Sequence, residues 1–414
     1  MDTKNTPRAR LTLTSIAALA SAGALAQEPN PYYIGASQSV ARESNLFRSA
    51  DGVRVSDTVS VTSLLAGLDQ PIGRQRLFAD AAVRSGRFAD NSQLNYTGGS
   101  LLAGADWEAA ESLSGRLSYG IDRRLAPTGL DLGIDPTLRN VQTTQEFVLR
   151  GQSSTVAVFA VEAGYIHRAL DYTAVAANDL EFKQDTGSLG LRFRPGGALT
   201  LGLTVRRTEG TYPFAAAGDL PDDFQRDDVD LSAVWIATGA STVTARLSRT
   251  REKHEVLTTR DVSGNTGALS WNFKPTGKLN LTADYIRDTG AESTFIGTGG
   301  AGGGGSATPV VNSSPQATTW QLRGDYEVTA KVQLVAFVRH LKRDLVNNAA
   351  IPGTGEDTLV EARAGLNWTP LRSVLVGCTV GREDRDASEG AVANVLSSSY
   401  SATTVRCLAQ FRTQ

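Results

Sequence analysis

The chain has 414 residues, with 41 basic and 43 acidic side chains and a formal net charge of -2. That balance excludes the basic footprint of a nucleic-acid binder. A mean hydropathy of -0.19 and the lack, after residue 26, of any run near ~18 consecutive apolar residues exclude a helical membrane domain.

Taken from the start, Lys4, Arg8 and Arg10 precede a short apolar stretch, Leu11 to Ala20, that ends in Ser21-Ala22-Gly23-Ala24-Leu25-Ala26. Charge, apolar run and a small-x-small end form a secretory signal, with cleavage expected after Ala26. Residues 27–414 show no composition shift, Pro-rich linker or like-charge run, so they are expected to form a single domain.

From Tyr32 onward the dominant signal is alternation at period two. In Ala198–Thr208, Leu199, Leu201, Leu203 and Val205 fall on one face and Thr200, Gly202, Thr204 and Arg206 on the other. Lys278–Asp288 and Thr319–Val328 repeat the pattern. About eighteen such segments of roughly 10–14 residues are expected. They begin near Tyr32, Thr58, Arg76, Leu94, Leu113, Val141, Thr155, Glu181 and Leu199, then near Asp227, Thr242, Gly267, Leu279, Thr318, Val332, Leu359, Val374 and Tyr400.

The connections alternate as well. Gln70-Pro71-Ile72-Gly73, Arg194–Gly197, Thr238–Ala240, Lys274–Gly277 and Thr369–Arg372 are tight turn formers. Ala126–Asn140, Tyr212–Phe224, His254–Asn265, Ser293–Pro315 and Ala387–Ser398 read as long loops. Short turns on one rim and long loops on the other predict an all-β fold: a transmembrane, antiparallel, up-and-down β-barrel of the outer membrane. An even strand number puts both mature termini on the periplasmic, short-turn side. Trp107, Trp235, Trp271 and Trp368 precede short turns, and Tyr96, Tyr165, Tyr285 and Trp320 sit at the opposite strand ends, as two aromatic girdles would.

If this is a barrel, the polar phase faces its lumen. That phase holds Asp80, Arg84, Arg116, Glu146, Arg150, Glu162, Arg192, Arg206 and Asp230. Further along it holds Arg246, Asp284, Arg323, Asp325, Arg339, Glu361, Arg363 and Arg406. On the lipid face each charge would cost about 2–4 kcal/mol near the midplane. Two readings stay open: a hydrated passage that orients polar solutes, and charges that pair across strands and fill the interior. Both signs occur, so no strong ion selectivity is expected.

Cys378 and Cys407 fall on the apolar phase of the last two strands, nearly opposite each other across the hairpin. A cross-strand disulfide and two free thiols acting as small apolar residues both fit. His167, His254 and His340 have no ligand-spaced neighbour, and no hydrolase or zinc motif occurs. No catalysis, cofactor or metal is therefore expected. The Gly-rich Gly297–Gly305 reads as an outer loop, and Asp219-Leu220-Pro221-Asp222-Asp223 as a solvated acidic loop.

Near the N-terminus, Pro31-Tyr32-Tyr33-Ile34-Gly35-Ala36-Ser37-Gln38-Ser39-Val40 and Glu43–Arg48 resemble the opening of the EpsL-type family. The stretch from Ser56-Asp57-Thr58 through Gly67-Leu68-Asp69-Gln70-Pro71-Ile72-Gly73-Arg74-Gln75 to Asn95-Tyr96 is similar too. These are outer-membrane β-barrels associated with exosortase B systems and exopolysaccharide operons. The resemblance implies export of a secreted polysaccharide, with no catalytic residues to carry over. Only a stub precedes Tyr32, so separate periplasmic or inner-membrane components are expected to handle the polymer. A general or nutrient-uptake porin and a structural barrel with a plugged lumen are the alternatives. Phe411 is followed by Arg412-Thr413-Gln414, a departure from the terminal aromatic of many such barrels.

Overall fold

The computed structural model describes residues 30–109, 112–127, 135–156, 158–216, 220–288, 316–347, 353–387 and 397–413. The expected signal peptide, the Gly-rich loop and the rest of Ser293–Pro315 lie outside these residues. Pro31–Gln414 form one unit, and it is built from strands. In the first half these are β1 (Tyr32–Glu43), β2 (Asp57–Ile72), β3 (Gln75–Phe88), β4 (Tyr96–Ala109), β5 (Leu113–Leu125), β6 (Val141–Val156), β7 (Phe159–Tyr172), β8 (Phe182–Gly196) and β9 (Leu199–Ala216). The second half adds β10 (Leu220–Thr238), β11 (Ser241–His254), β12 (Val262–Thr276), β13 (Leu279–Asp288), β14 (Gln316–Thr329), β15 (Val332–Asn347), β16 (Gly353–Leu371), β17 (Val374–Ala387) and β18 (Tyr400–Arg412).

Each strand pairs antiparallel with the next, and β1 pairs with β18 from Gly35↔Arg412 to Glu43↔Thr404, which closes an 18-stranded barrel. Closure leaves no free edge, the condition for a sheet to sit in hydrocarbon. Following paired residues once around the circuit returns roughly twenty residues further along β1, a shear that tilts the strands by about 40°.

Tight turns occupy one rim. Gly73 supplies the left-handed residue of the first, at φ 61°. Pro195, Pro275 and Pro370 are not in the turns proper but on strand ends. Each lies inside a register shift, Phe193/Gly196, Phe273/Thr276 and Trp368/Leu371. A residue without an N–H is tolerated where the ladder is already broken. β1 begins and β18 ends on this same rim, where the Thr413 amide donates to the Ile34 carbonyl at 2.8 Å.

Several boundaries move. Leu94 ends a 3-10 turn rather than starting a strand, and Thr155 belongs to β6, with β7 beginning at Phe159. β10, β12 and β16 begin at Leu220, Val262 and Gly353, well before Asp227, Gly267 and Leu359. Most of the expected loop Tyr212–Phe224 is therefore strand, and so is the end of His254–Asn265. β10 and β16 reach 19 residues because their polar ends pair beyond the apolar belt, where alternation of hydrophobicity no longer marks them.

The outward face is apolar over about four positions per strand, a height of roughly 20–25 Å. Trp107, Trp235, Trp271, Trp368 and Phe411 border it at the short-turn rim, while Tyr119, Tyr165, Tyr285 and Trp320 border it near the other. Tyr96 does not join that girdle. Its ring lies inward over Gly86, where an added Cβ would sit 2.2 Å from it, and it packs with Leu46, Phe47, Phe88 and Leu94.

Candidate functional site

Cross-strand partners share a face, so one fixed contact orients a whole ring of side chains. Tyr33 crosses Gly67, where an added Cβ would meet its ring at 2.0 Å, and donates its hydroxyl to Asp80 at 2.7 Å. From Asp80 the registers carry the same face around the barrel. All the charged positions singled out from the polar phase lie on it, lining the interior.

Most of them are paired. Arg84 meets Asp122 at 3.3 Å, Arg168 meets Glu146 at 3.3 Å, and Arg192 meets Glu162 at 2.8 Å. Arg116 binds Asp106 at 2.5 Å and stacks on one side of Phe78, while Arg76 stacks near the same ring and binds Asp69. Arg339 and Arg363 share Glu361, and Arg323 binds Asp325 at 3.0 Å. Pairing does not dry these guanidinium groups. Arg323 and Arg363 remain 61% and 60% exposed to the interior. Arg150 and Arg406 are exposed and make no ion pair among the described residues.

The sector from β9 to β13 is different. Arg226, with its side chain 2% exposed, lies 2.9 Å from Asp228, 3.3 Å from Asp288 and 3.6 Å from Glu252. Arg206 binds Asp230 at 2.5 Å and reaches Asp228 at 3.5 Å; Arg246 reaches Asp288 at 3.6 Å. Thr250 and Ser248 are fully buried among them, and Asp284 accepts from Gln321 at 2.7 Å. This part of the wall is dry, with its charges spent on one another. The inner surface is thus split into a wet face that presents guanidinium groups and a packed face that supports it.

Above this wall three connections of the long-loop rim share one design. In β3–β4, β7–β8 and β11–β12 a short 3-10 turn follows the strand: Ser92–Leu94, Val175–Leu180 and Thr258–Arg260. The amides of Ala89, Thr173 and Glu255 donate to the carbonyls of Thr58, Val141 and Asp223. The preceding residues, Asp57, Asn140 and Asp222, accept backbone amides of the loop through their side chains. Asn95, Glu181 and Asp261 then reach back to the amides of Phe88, Tyr172 and His254 at 2.8–2.9 Å. The device recurs every four strands, and no single residue type marks it.

His254, in the third copy, has Nδ1 2.8 Å from Asp222 and Nε2 3.1 Å from Glu252. Only a doubly protonated ring satisfies both carboxylates. The second copy holds a less favourable group. Oδ1 of Asp179 is buried with no hydrogen-bond partner among the described residues, and burial pushes its carboxyl above the usual range against the pull of Arg260. A raised carboxylate pKa means that ionisation opposes folding as pH rises through it. Asp179→Asn is therefore expected to slow amide exchange of residues 177–181 about fivefold at neutral pH. The two proteins should converge at roughly pH 3, below the ordinary carboxylate range; equal rates at neutral pH would contradict this.

Sequence reasoning places Arg206, Asp230 and Arg246 of this network on the inner wall. It does not single out Arg226, Asp228, Glu252 and Asp288 or the Asp57 and Asp222 anchors, since they lie toward the long-loop rim where alternation fades. Their shared inward parity was the available signal. Cys378 and Cys407 pair directly across β17 and β18 as a disulfide on the outward face. Among the described residues no group of three or more His, Cys, Asp or Glu is placed to hold a metal.

A closed, tilted 18-stranded barrel with an apolar outer belt and a charged inner wall is a porin-like barrel of the outer membrane. Its fold is similar to that of the outer membrane protein OpdK from Pseudomonas aeruginosa, at 15% identity and a TM-score of 0.50, over 92% of this chain and 98% of that one. OpdQ from the same organism (13%, TM-score 0.47, 94% and 99% covered) and OccAB4 from Acinetobacter baumannii (13%, TM-score 0.46, 93% and 98% covered) are also similar. No family model matches the sequence, and no curated protein matches it. These likenesses concern the fold.

Proposed function

We propose that the chain is an uptake porin that passes small polar solutes, with arginine side chains of the wet wall as their transient partners. The observation that carries this reading is the exposure of Arg323 and Arg363, whose donors stay open to the interior even though each touches a carboxylate. A small anion or hydroxylated solute can exchange hydrogen bonds along such a wall without a tight site, which is what passage requires. Likeness of fold to OpdK agrees with a channel role.

Polymer export, implied by the EpsL-type resemblance, is the weaker reading. An extended glycan needs a wide opening, whereas Leu46 and Phe47 pack on the inward Phe88 and Tyr96 at the long-loop rim. Arg48 continues that segment and is held to Glu43 and Glu383 at 3.3 and 3.4 Å. Both contacts hold the β1–β2 connection against inward side chains of the wall.

Vesicles carrying the purified barrel are expected to swell in small sugars and small organic acids. Arg323→Gln/Arg363→Gln should lower anion over cation permeability by about 3- to 10-fold, since lumenal charge sets the local ion concentration. A barrel that neither conducts nor permits swelling is plugged, and the proposal fails. It fails equally if deletion of the protein stops polymer release while small-solute uptake stays unchanged.

A further inference from the structure

Just above the apolar belt on the long-loop side, the outward face carries a collar of cations. Arg42 stands on β1, Arg87 on β3 and Arg123 on β5. The other upward-running strands continue it with His167, Arg207, Arg249, Arg287, Lys342 and Arg382. Every odd-numbered strand thus contributes one basic residue at about the same level. The outward strand positions at the short-turn rim hold no charge; they carry Tyr32, Trp107 and Phe411 among other uncharged residues. Carboxylates join the collar only from β8 onward, where Asp185, Glu209, Asp227, Glu356 and Asp384 also face outward.

Within the collar, one sector is chemically distinct. Arg207 binds Glu209 at 2.8 Å, Arg382 binds Asp384 at 2.7 Å and Lys342 binds Glu356 at 2.9 Å, so those cations are locally neutralised. From β1 to β6 the outward positions hold no carboxylate at all. Arg42, Arg87 and Arg123 are exposed and make no ion pair among the described residues. Arg42 is instead steadied by hydroxyl oxygens, Thr58 at 3.0 Å and Ser56 at 2.8 Å. The three residues stand on alternate strands, and the registers separate their backbones by about 12 Å from Arg42 to Arg87 and about 17 Å from Arg87 to Arg123. Thr97 and Ser85 lie between them as further hydrogen-bonding groups.

We propose that Arg42, Arg87 and Arg123 form a docking surface for a phosphorylated glycolipid of the leaflet that borders the long-loop rim. The acyl chains would lie against Leu64, Val83 and Leu101 below, and the phosphates would meet the guanidinium row. Arginine suits the task because its planar fork binds phosphate oxygens bidentately. Each basic residue at a membrane surface adds appreciably to the attraction for anionic headgroups. The charge row, the missing carboxylates and the apolar wall directly beneath together require a ligand that is anionic at one end and apolar at the other.

The test uses the full mature barrel in a non-ionic detergent and a hexa-acylated glucosamine disaccharide bearing two phosphates, with bound lipid counted by native mass spectrometry. Wild type is expected to retain this lipid and to bind its dephosphorylated form at least tenfold more weakly. Arg42→Gln/Arg87→Gln/Arg123→Gln should lose at least tenfold in binding, whereas the three Lys replacements should keep most of it. Neutralising Arg207, Lys342 and Arg382 should change binding by less than about twofold, since those cations are already paired. Equal binding of the dephosphorylated lipid, or unchanged binding by the Gln variant, overturns the proposal. Full competition by millimolar inorganic phosphate would also overturn it, because that marks a simple anion site. Should the Gln variant not fold, the comparison of the two lipids on wild type still decides.

Discussion

Replacing Arg226 with Met is expected to cost about 3–5 kcal/mol of barrel stability, the penalty for stranding buried charge by removing its partner. The guanidinium contacts Asp228, Glu252 and Asp288 in a region with almost no access to solvent. Without it, Asp228 keeps Arg206, Asp288 keeps Arg246 and Glu252 keeps His254, but the guanidinium shared by all three is gone. A Lys at the same position keeps the charge but cannot span three acceptors with one rigid plane, so Arg226→Lys should fall between. Arg207→Met, one strand away on the outside and 56% exposed, is the control and should shift stability by under about 0.5 kcal/mol. Urea unfolding in lipid vesicles measures both. A loss at Arg226 no larger than at Arg207 would mean the network is not dry.

The second large effect concerns Asp57. Its carboxylate accepts the amides of Thr58, Ala89, Asp90 and Asn91 and the Asn91 side chain, at 2.6–3.1 Å, and is fully buried. Asp57→Ala removes the acceptor and leaves these donors to be satisfied elsewhere, at about 1–3 kcal/mol each where burial persists. The β3–β4 connection should open locally, with amides 89–91 exchanging at least ~100-fold faster. Asp222→Ala should do the same to Val256 and Leu257 in the β11–β12 connection. The barrel itself should persist in both, because its ladders are untouched. If one variant opens its loop and the other does not, the two connections are not equivalent copies of one device.

Strand identity was readable because lipid and water impose opposite demands on alternate residues. Leu199, Leu201, Leu203 and Val205 had to face one medium, and Thr204 and Arg206 the other, whatever the rest of the chain did. Turn residues set the direction of each reversal, so the strand number and the common rim of both ends followed from local chemistry alone. The same reasoning failed at the long-loop rim. Beyond the belt both faces of β9, β10 and β12 meet polar surroundings, so hydrophobic alternation stops while backbone pairing continues.

Residue parity likewise placed the charges on the inner wall, but it could not say which met which. Arg246 and Arg363 read alike in one dimension. Strand tilt and shear bring Asp230 and Asp288 around the first and leave the second open to the passage, because pairing partners depend on neighbours tens to hundreds of residues away. Tyr96 shows the limit most simply: its place near a strand end suggested a girdle, while the space over Gly86 draws its ring inside. Composition and order of side chains thus dictate a closed membrane sheet. Only folding in three dimensions sorts its wall into a dry support and a wet passage, since burial is a property of surroundings that no single segment carries.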